Sequence, residues 1–156
     1  MQGKAGLWER GAMQLSAHFS LEELTRSDTA TQLGIANDPT PEHLENLRHL
    51  AGRMEAVRAL FDKPIAISSG YRNPQVNKAV GGVPNSAHAL GHAADFHVAG
   101  LDDLAAAKRV RDSELKFDQL IYEQGRCVHI SFDPQMRQQV MRQPGGPGSQ
   151  CFMGLE

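Results

Sequence analysis

The chain has 156 residues, a formal net charge of −2 and 40% hydrophobic residues. A single domain of that size buries roughly 70% of the surface its unfolded chain exposes, so a core forms without staples. The near-neutral balance, with no basic stripe, excludes a general nucleic-acid binder, and no apolar run reaches the roughly 18 residues of a bilayer span. Residues 1–14 open with MQGKAGLWERGAM. They lack the apolar centre of a signal peptide and read as a flexible leader.

HFSLEELTRS carries a helix start. Ser20 is the N-cap and Glu23 completes a capping box, with Phe19 and Leu24 as the hydrophobic staple. Residues 28–40 read as loop. TPEHLENLRHLAGRMEAVRALF follows, with Thr40 as N-cap and Pro41 in the first turn. Leu44, Leu47, Leu50, Met54, Val57 and Phe61 recur at helical spacing, so this is a long amphipathic helix with its stripe in the core. His43 and His49 fall off the stripe and read as solvated. KPIAIS is a short strand. SGYRNPQVNKAVGGVPNS is a long loop with a helical turn near residues 75–78, and long loops in small domains are often functional. AADFHV is a strand, and LDDLAAAKRVRDSEL is a helix. FDQLIYE and RCVHISF form a hairpin around Gln124 and Gly125. RQPGGPGSQ is a loop. This order predicts an α+β fold, a small antiparallel sheet with flanking helices.

The densest chemistry lies in SAHALGHAADFH, residues 86–97, which holds three of the seven histidines. Zinc takes imidazole nitrogen and carboxylate oxygen, and a catalytic site uses three protein ligands. Strand parity puts Asp95 and His97 on one face of AADFHV, and Cys127, His129 and Ser131 on one face of RCVHISF. If the two strands are neighbours, Asp95 and His129 converge on one groove. His88 and His92 are four apart, a helical spacing, but Gly91 and the approaching strand argue against a helix there. The pattern favours His88, Asp95 and His129 as ligands. The competing reading is a set of hydrogen-bonded polar residues at a sheet edge. No CxxC is present, so a thiolate zinc site is not expected. Cys127 reads as a small packed residue, and Cys151 is uninformative.

SGYR at 69–72, Asn77, Gly81-Gly82, the pattern S-x-H-x-x-G-x-A-x-D from Ser86 to Asp95, and VHIS at 128–131 together resemble the zinc D-Ala-D-Ala carboxypeptidase and peptidoglycan endopeptidase family. That family shares its fold with the hedgehog signalling domain. The resemblance runs from about residue 15 to 133, and its combined motifs are specific. It implies a zinc peptidase domain over residues 15–135, with residues 136–156 a tail packing on or trailing that domain. The implied zinc ligands are His88, Asp95 and His129. Arg72 falls where the substrate's carboxylate or carbonyl is bound, a role suited to a planar guanidinium fork. Ser86 would help hold His88 or the substrate, and Tyr71 of SGYR joins the substrate-binding candidates. The implied cofactor is Zn2+ and the implied substrate a peptidoglycan stem peptide. A monomer is expected, made in the cytoplasm and acting in the periplasm or at the wall. The smaller endolysin-like members, released by a holin, are the nearest in kind.

One position departs from the family. Its members often place the catalytic acid three residues before the last histidine ligand, and here that residue is Arg126, which cannot act as a base at neutral pH. Cys127 stands where an aromatic is frequent. Glu123 is the favoured replacement. A three-residue turn over residues 124–126 would pair it with Cys127 and turn it to the His129 face, whereas a two-residue turn would point it away. His97 as a proton shuttle, the weaker candidate Asp133, and a zinc- and wall-peptide-binding module impaired in catalysis are the alternatives.

Overall fold

The computed structural model describes residues 13–156, so the first twelve residues of the expected leader lie outside it. Met13 and Gln14, read as leader, are tied to the domain. The Leu21 N–H donates to the Met13 carbonyl at 2.9 Å and Gln14 bridges Ser20. The capping box is present. Ser20 Oγ accepts from the Glu23 N–H at 3.1 Å while the Ser20 N–H donates to Glu23 Oε1 at 3.3 Å, and α1 (Leu21–Thr25) follows. Phe19 and Leu24 are both buried.

Residues 28–40 are not all loop. A short helix, α2 (Asp28–Leu33), starts where Ser27 Oγ accepts from the Ala30 N–H and stops at Gly34, whose φ of 67° is left-handed. Its caps are ordinary. It escapes a search for apolar periodicity because Ala30 is its only buried residue. The long helix α3 (Pro41–Phe61) matches expectation, with Thr40 Oγ1 accepting from the His43 N–H at 3.1 Å. Leu47, Leu50, Met54, Val57 and Phe61 are buried along its stripe. Truncating one of these to alanine would cost about 2–5 kcal/mol.

β1 (Ile65–Ser69), α4 (Pro74–Ala79), α5 (Ala87–Leu90), β2 (Ala93–Val98) and α6 (Asp103–Arg111) come next, then the hairpin β3 (Gln119–Glu123) and β4 (Cys127–Ser131). The last strands are β5 (Gln139–Gln143) and β6 (Phe152–Met153). The sheet order is β1-β2-β4-β3-β5-β6. The fold is α+β as expected, but the sheet is mixed, because β5 runs parallel to β3. Residues 136–156, the expected tail, supply β5 and β6 of this sheet. β5 lies in register from Gln119↔Gln139 to Glu123↔Gln143, and Leu155 is buried in the core.

The pleat divides the sheet into two unlike faces. Phe96, Val98, Leu120, Val128 and Ile130 join one buried cluster with the stripe of α3 and with Ala106, Ala107 and Val110 of α6. The alternate residues of β2, β3 and β4 point the other way, and those include the candidate site residues.

Candidate functional site

Register, not histidine count, assembles the site. Asp95 stands directly opposite His129 across β2 and β4. Across β3 and β4, Ile121 opposes His129 and Glu123 opposes Cys127. The hairpin thus has the three-residue turn, so Glu123 shares the His129 face. His88 arrives from outside the sheet on α5. Contrary to expectation a helical turn does form here, because Ser86 Oγ caps it by accepting from the Ala89 N–H at 3.2 Å. Gly91, at φ 84°, ends it before His92, so the two histidines do not share a face.

His88 Nε2, Asp95 Oδ1 and His129 Nδ1 form a triangle. The sides are 3.1 Å from His88 to Asp95, 3.2 Å from His88 to His129 and 3.0 Å from His129 to Asp95. His88 Nδ1 lies 2.8 Å from the Gly70 carbonyl, which can only accept, so Nδ1 carries the proton and Nε2 of the neutral ring presents a lone pair. With both imidazoles neutral, hydrogen bonding cannot satisfy all three atoms at once, since a proton on His129 Nδ1 still leaves lone pairs facing one another. A cation at the centre does satisfy them. Tetrahedral zinc with bonds of about 2.0–2.1 Å spaces its donors about 3.3 Å apart, within a few tenths of the triangle. The chemistry also fits, with two imidazole nitrogens and one carboxylate. The His88, His129 and Asp95 side chains are only 4%, 10% and 13% exposed.

Charge is concentrated around this triangle. Burial disfavours the charged form of Asp95, yet His88 and His129 overcome it and hold the carboxyl well below the usual carboxylate range. Burial likewise opposes the charged form of His129, but the hydrogen bond and charge of Asp95, with Glu123 behind them, raise its pKa. Burial and the Asp95 charge push the Glu123 carboxyl up, against the pull of His129, Arg126 and His88. Glu123 Oε2 is 3.9 Å from His129 Nδ1. Its other oxygen is held by Arg126 Nη1 at 3.0 Å.

Arg72 lines the same cleft with Ser69, Val80, Val83 and Ser86. Its Nε is buried without a hydrogen-bond partner, and its guanidinium makes no ion pair among the described residues. Burial lowers its pKa, opposed by the charges of Asp95 and Glu123. Its backbone N–H donates to the His88 carbonyl at 3.1 Å, coupling it to the triangle. Ser86 borders the cleft, but its hydroxyl is engaged in capping α5 and in donating to Asn77 Oδ1 at 3.1 Å. The turn that it caps is the one that carries His88.

Tyr71 is not brought to the cleft. It is 1% exposed within the core, and its hydroxyl meets His43 Nδ1 at 3.0 Å. That contact also corrects the reading of His43 as solvated, whereas His49 is indeed exposed. His97 turns instead to Asp103, 2.9 Å away. His92 lines a separate groove with His49, Arg53 and Phe132. Asp133 lies near Arg137 and Asp118, away from the triangle. Cys127 is buried, and burial with the Asp95 and Glu123 charges pushes its thiol pKa up.

Sequence reasoning missed three supports. Gly70 selects the His88 nitrogen. Asn37 ties down the Tyr71–Asn73 segment, donating to the Thr25 and Tyr71 carbonyls and accepting from the Asn73 N–H, each at 2.8 Å. Gln143 of β5 lines the cleft and accepts from Arg126 at 2.5 Å. Gly70 lies inside SGYR but its carbonyl carries no sequence signal, and Asn37 and Gln143 belong to no motif, though a buried Asn in a loop is a known pin for backbone groups.

The chain is similar in sequence to known proteins. A zinc D-Ala-D-Ala carboxypeptidase of Streptomyces albus G is 39% identical over 96 residues, which is 61% of this chain and 37% of that protein. The match thus spans little more than a third of that relative's length. The Peptidase M15 family model matches residues 17–131, from just before the capping box of α1 to the end of β4. The chain belongs to the peptidase M15 family.

Proposed function

We propose that this chain is a zinc-dependent peptidase that hydrolyses amide bonds in peptidoglycan stem peptides, with His88, Asp95 and His129 as the metal ligands. The observation that carries the reading is the triangle of facing donor atoms with a second carboxylate, Glu123, beside it on the same sheet face. What zinc supplies when bound is Lewis acidity toward the amide carbonyl and the attacking water. Glu123 Oε2 is the proton carrier. It accepts a proton from the attacking water and delivers it to the nitrogen of the leaving amine. Its raised pKa suits a group that must both take and return a proton near neutral pH. Arg72 offers its unpaired fork to a substrate carboxylate or carbonyl, and the exposed Val80 and Val83 give the cleft an apolar side for small side chains. The Streptomyces relative is named for a D-Ala-D-Ala bond, and both carboxypeptidase and endopeptidase cleavage at the wall, the latter as an endolysin would perform it, fit such a cleft.

The test is digestion of purified peptidoglycan, with muropeptides read by chromatography. Zinc-loaded protein should release fragments and chelator should stop it. Glu123→Gln should lower kcat by about 10²–10⁴-fold while retaining its zinc, and His129→Ala should lose the zinc. No fragment release by zinc-loaded wild type sinks the enzyme reading. Full activity in Glu123→Gln sinks the assignment of the base.

A further inference from the structure

The residues between Glu123 and the C-terminal strand form a chain of contacts that ends outside the region matched by the family. Arg126 Nη1 holds Glu123 Oε1 at 3.0 Å. Arg126 Nη2 donates to Gln143 Oε1 at 2.5 Å, and Gln143 Nε2 donates to the Ser149 carbonyl at 2.9 Å. The backbone repeats the link, since Glu123 pairs with Gln143 in the β3–β5 register and the Gln124 N–H donates to the Gln143 carbonyl at 3.2 Å. Arg126 Nε is buried and has no hydrogen-bond partner among the described residues, where its fork is spent on these two contacts.

Glu123 needs such a hold. Its carboxylate oxygen, an Asp95 oxygen and the Cys127 sulfur lie within 4.8 Å of one another. Asp95 also belongs to the His88–Asp95–His129 triangle. A free carboxylate this close to Asp95 would tend to join it as a ligand of a bound divalent cation, and a carboxylate used as a ligand no longer carries protons. The geometry points to Arg126, anchored by Gln143, as a positioning residue that keeps Glu123 off the metal and available for proton transfer. The inference rests on the proposed role of Glu123, and it gives the segment after residue 131 a part in the chemistry. It also accounts for an arginine three residues before His129.

The experiment uses the full chain loaded with zinc or with cobalt(II) as a spectroscopic probe. The variants are Gln143→Leu, Arg126→Met, Arg126→Lys and the double variant Arg126→Met/Glu123→Gln. Gln143→Leu matters most because it preserves the local charge. Freed Glu123 should change the visible cobalt spectrum of Gln143→Leu and Arg126→Met, tighten zinc about tenfold or more in a chelator competition, and lower kcat about tenfold or more with KM within about twofold. Arg126→Lys, which keeps one contact, should recover part of the kcat. The double variant should return to the wild-type spectrum, since a neutral amide is a poor ligand. Wild-type spectra and affinities in both single variants overturn the proposal even if Glu123→Gln is inactive. Conversely, full activity of Glu123→Gln defeats the reading of the base while the cobalt spectra still report on the hold.

Discussion

Gly70 decides which nitrogen of His88 faces the cleft, because its carbonyl accepts from Nδ1 and leaves Nε2 to meet Asp95 and His129. A side chain at Gly70 would collide with the Leu24 carbonyl oxygen, which is backbone and cannot rotate away. The Tyr71 N–H already donates to that same oxygen at 2.7 Å. Gly70→Ala must therefore move the end of β1. It is expected to destabilise the fold by about 1–3 kcal/mol and to weaken zinc binding. Thermal melts and chelator competition measure the two effects, and unchanged zinc affinity would show that the carbonyl of Gly70 does not orient His88. This dependence is invisible in SGYR as a string, since it arises from a close approach between residues far apart in sequence.

At the level of elements, the candidate ligands are held by one strand pair and one helical turn. Parity within AADFHV and CVHIS is enough to put Asp95 and His129 on the strand faces opposite Phe96 and Val128, because alternation is a local property of extended backbone. The three-residue turn brings Glu123 to the same face by the same alternation. The turn of α5 is less secure. It is four residues long and depends on the Ser86 cap and the Gly91 stop. Ser86→Ala removes the cap and also the Asn77 contact. It should cost about 1 kcal/mol of stability and about tenfold or more in zinc affinity. Equal zinc affinity in that variant would mean that His88 is positioned by Gly70 alone.

Over the whole molecule, the sheet continues past the hairpin through contacts made by Asp118. This fully buried carboxylate accepts from the Arg137 backbone, Nε and Nη2 at 2.9, 2.8 and 2.7 Å. Its own carbonyl accepts from the Gln139 N–H, which starts β5 beside β3. The Arg137 hydrogen bonds outweigh burial and hold the Asp118 carboxyl below its ordinary range. A depressed folded-state pKa contributes stability that is complete above the unfolded value of about 3.9 and is lost as pH falls below it. Asp118→Asn should therefore destabilise the protein by about 1.5–3 kcal/mol at pH 7. The gap from wild type should stay constant down to about pH 5 and close below about pH 4. A gap that persists unchanged at pH 3, in denaturant or thermal unfolding, would assign the effect to shape and not to charge.

The sequence by itself determined the long helix and the two strands of the hairpin, which follow from local periodicity and capping, and its parity favoured a candidate ligand set that the family resemblance completed. Only the tertiary structure decided what surrounds them. The length of the hairpin turn, and with it the face that Glu123 shares, was open in the string and is settled by the pairing of Glu123 with Cys127. QVMRQ of β5 has no alternation to read, because every residue of it is half-buried, and its place beside β3 depends on Asp118 and Arg137 meeting across the crossover. Tyr71, chosen from a motif, goes to the core because the Leu24 carbonyl and His43 claim it. Arg126, which reads as a missing acid in the string, becomes the partner of the acid in space. Spacing along a chain reports which face a residue shares, while the neighbours across that face are set by how distant segments pack.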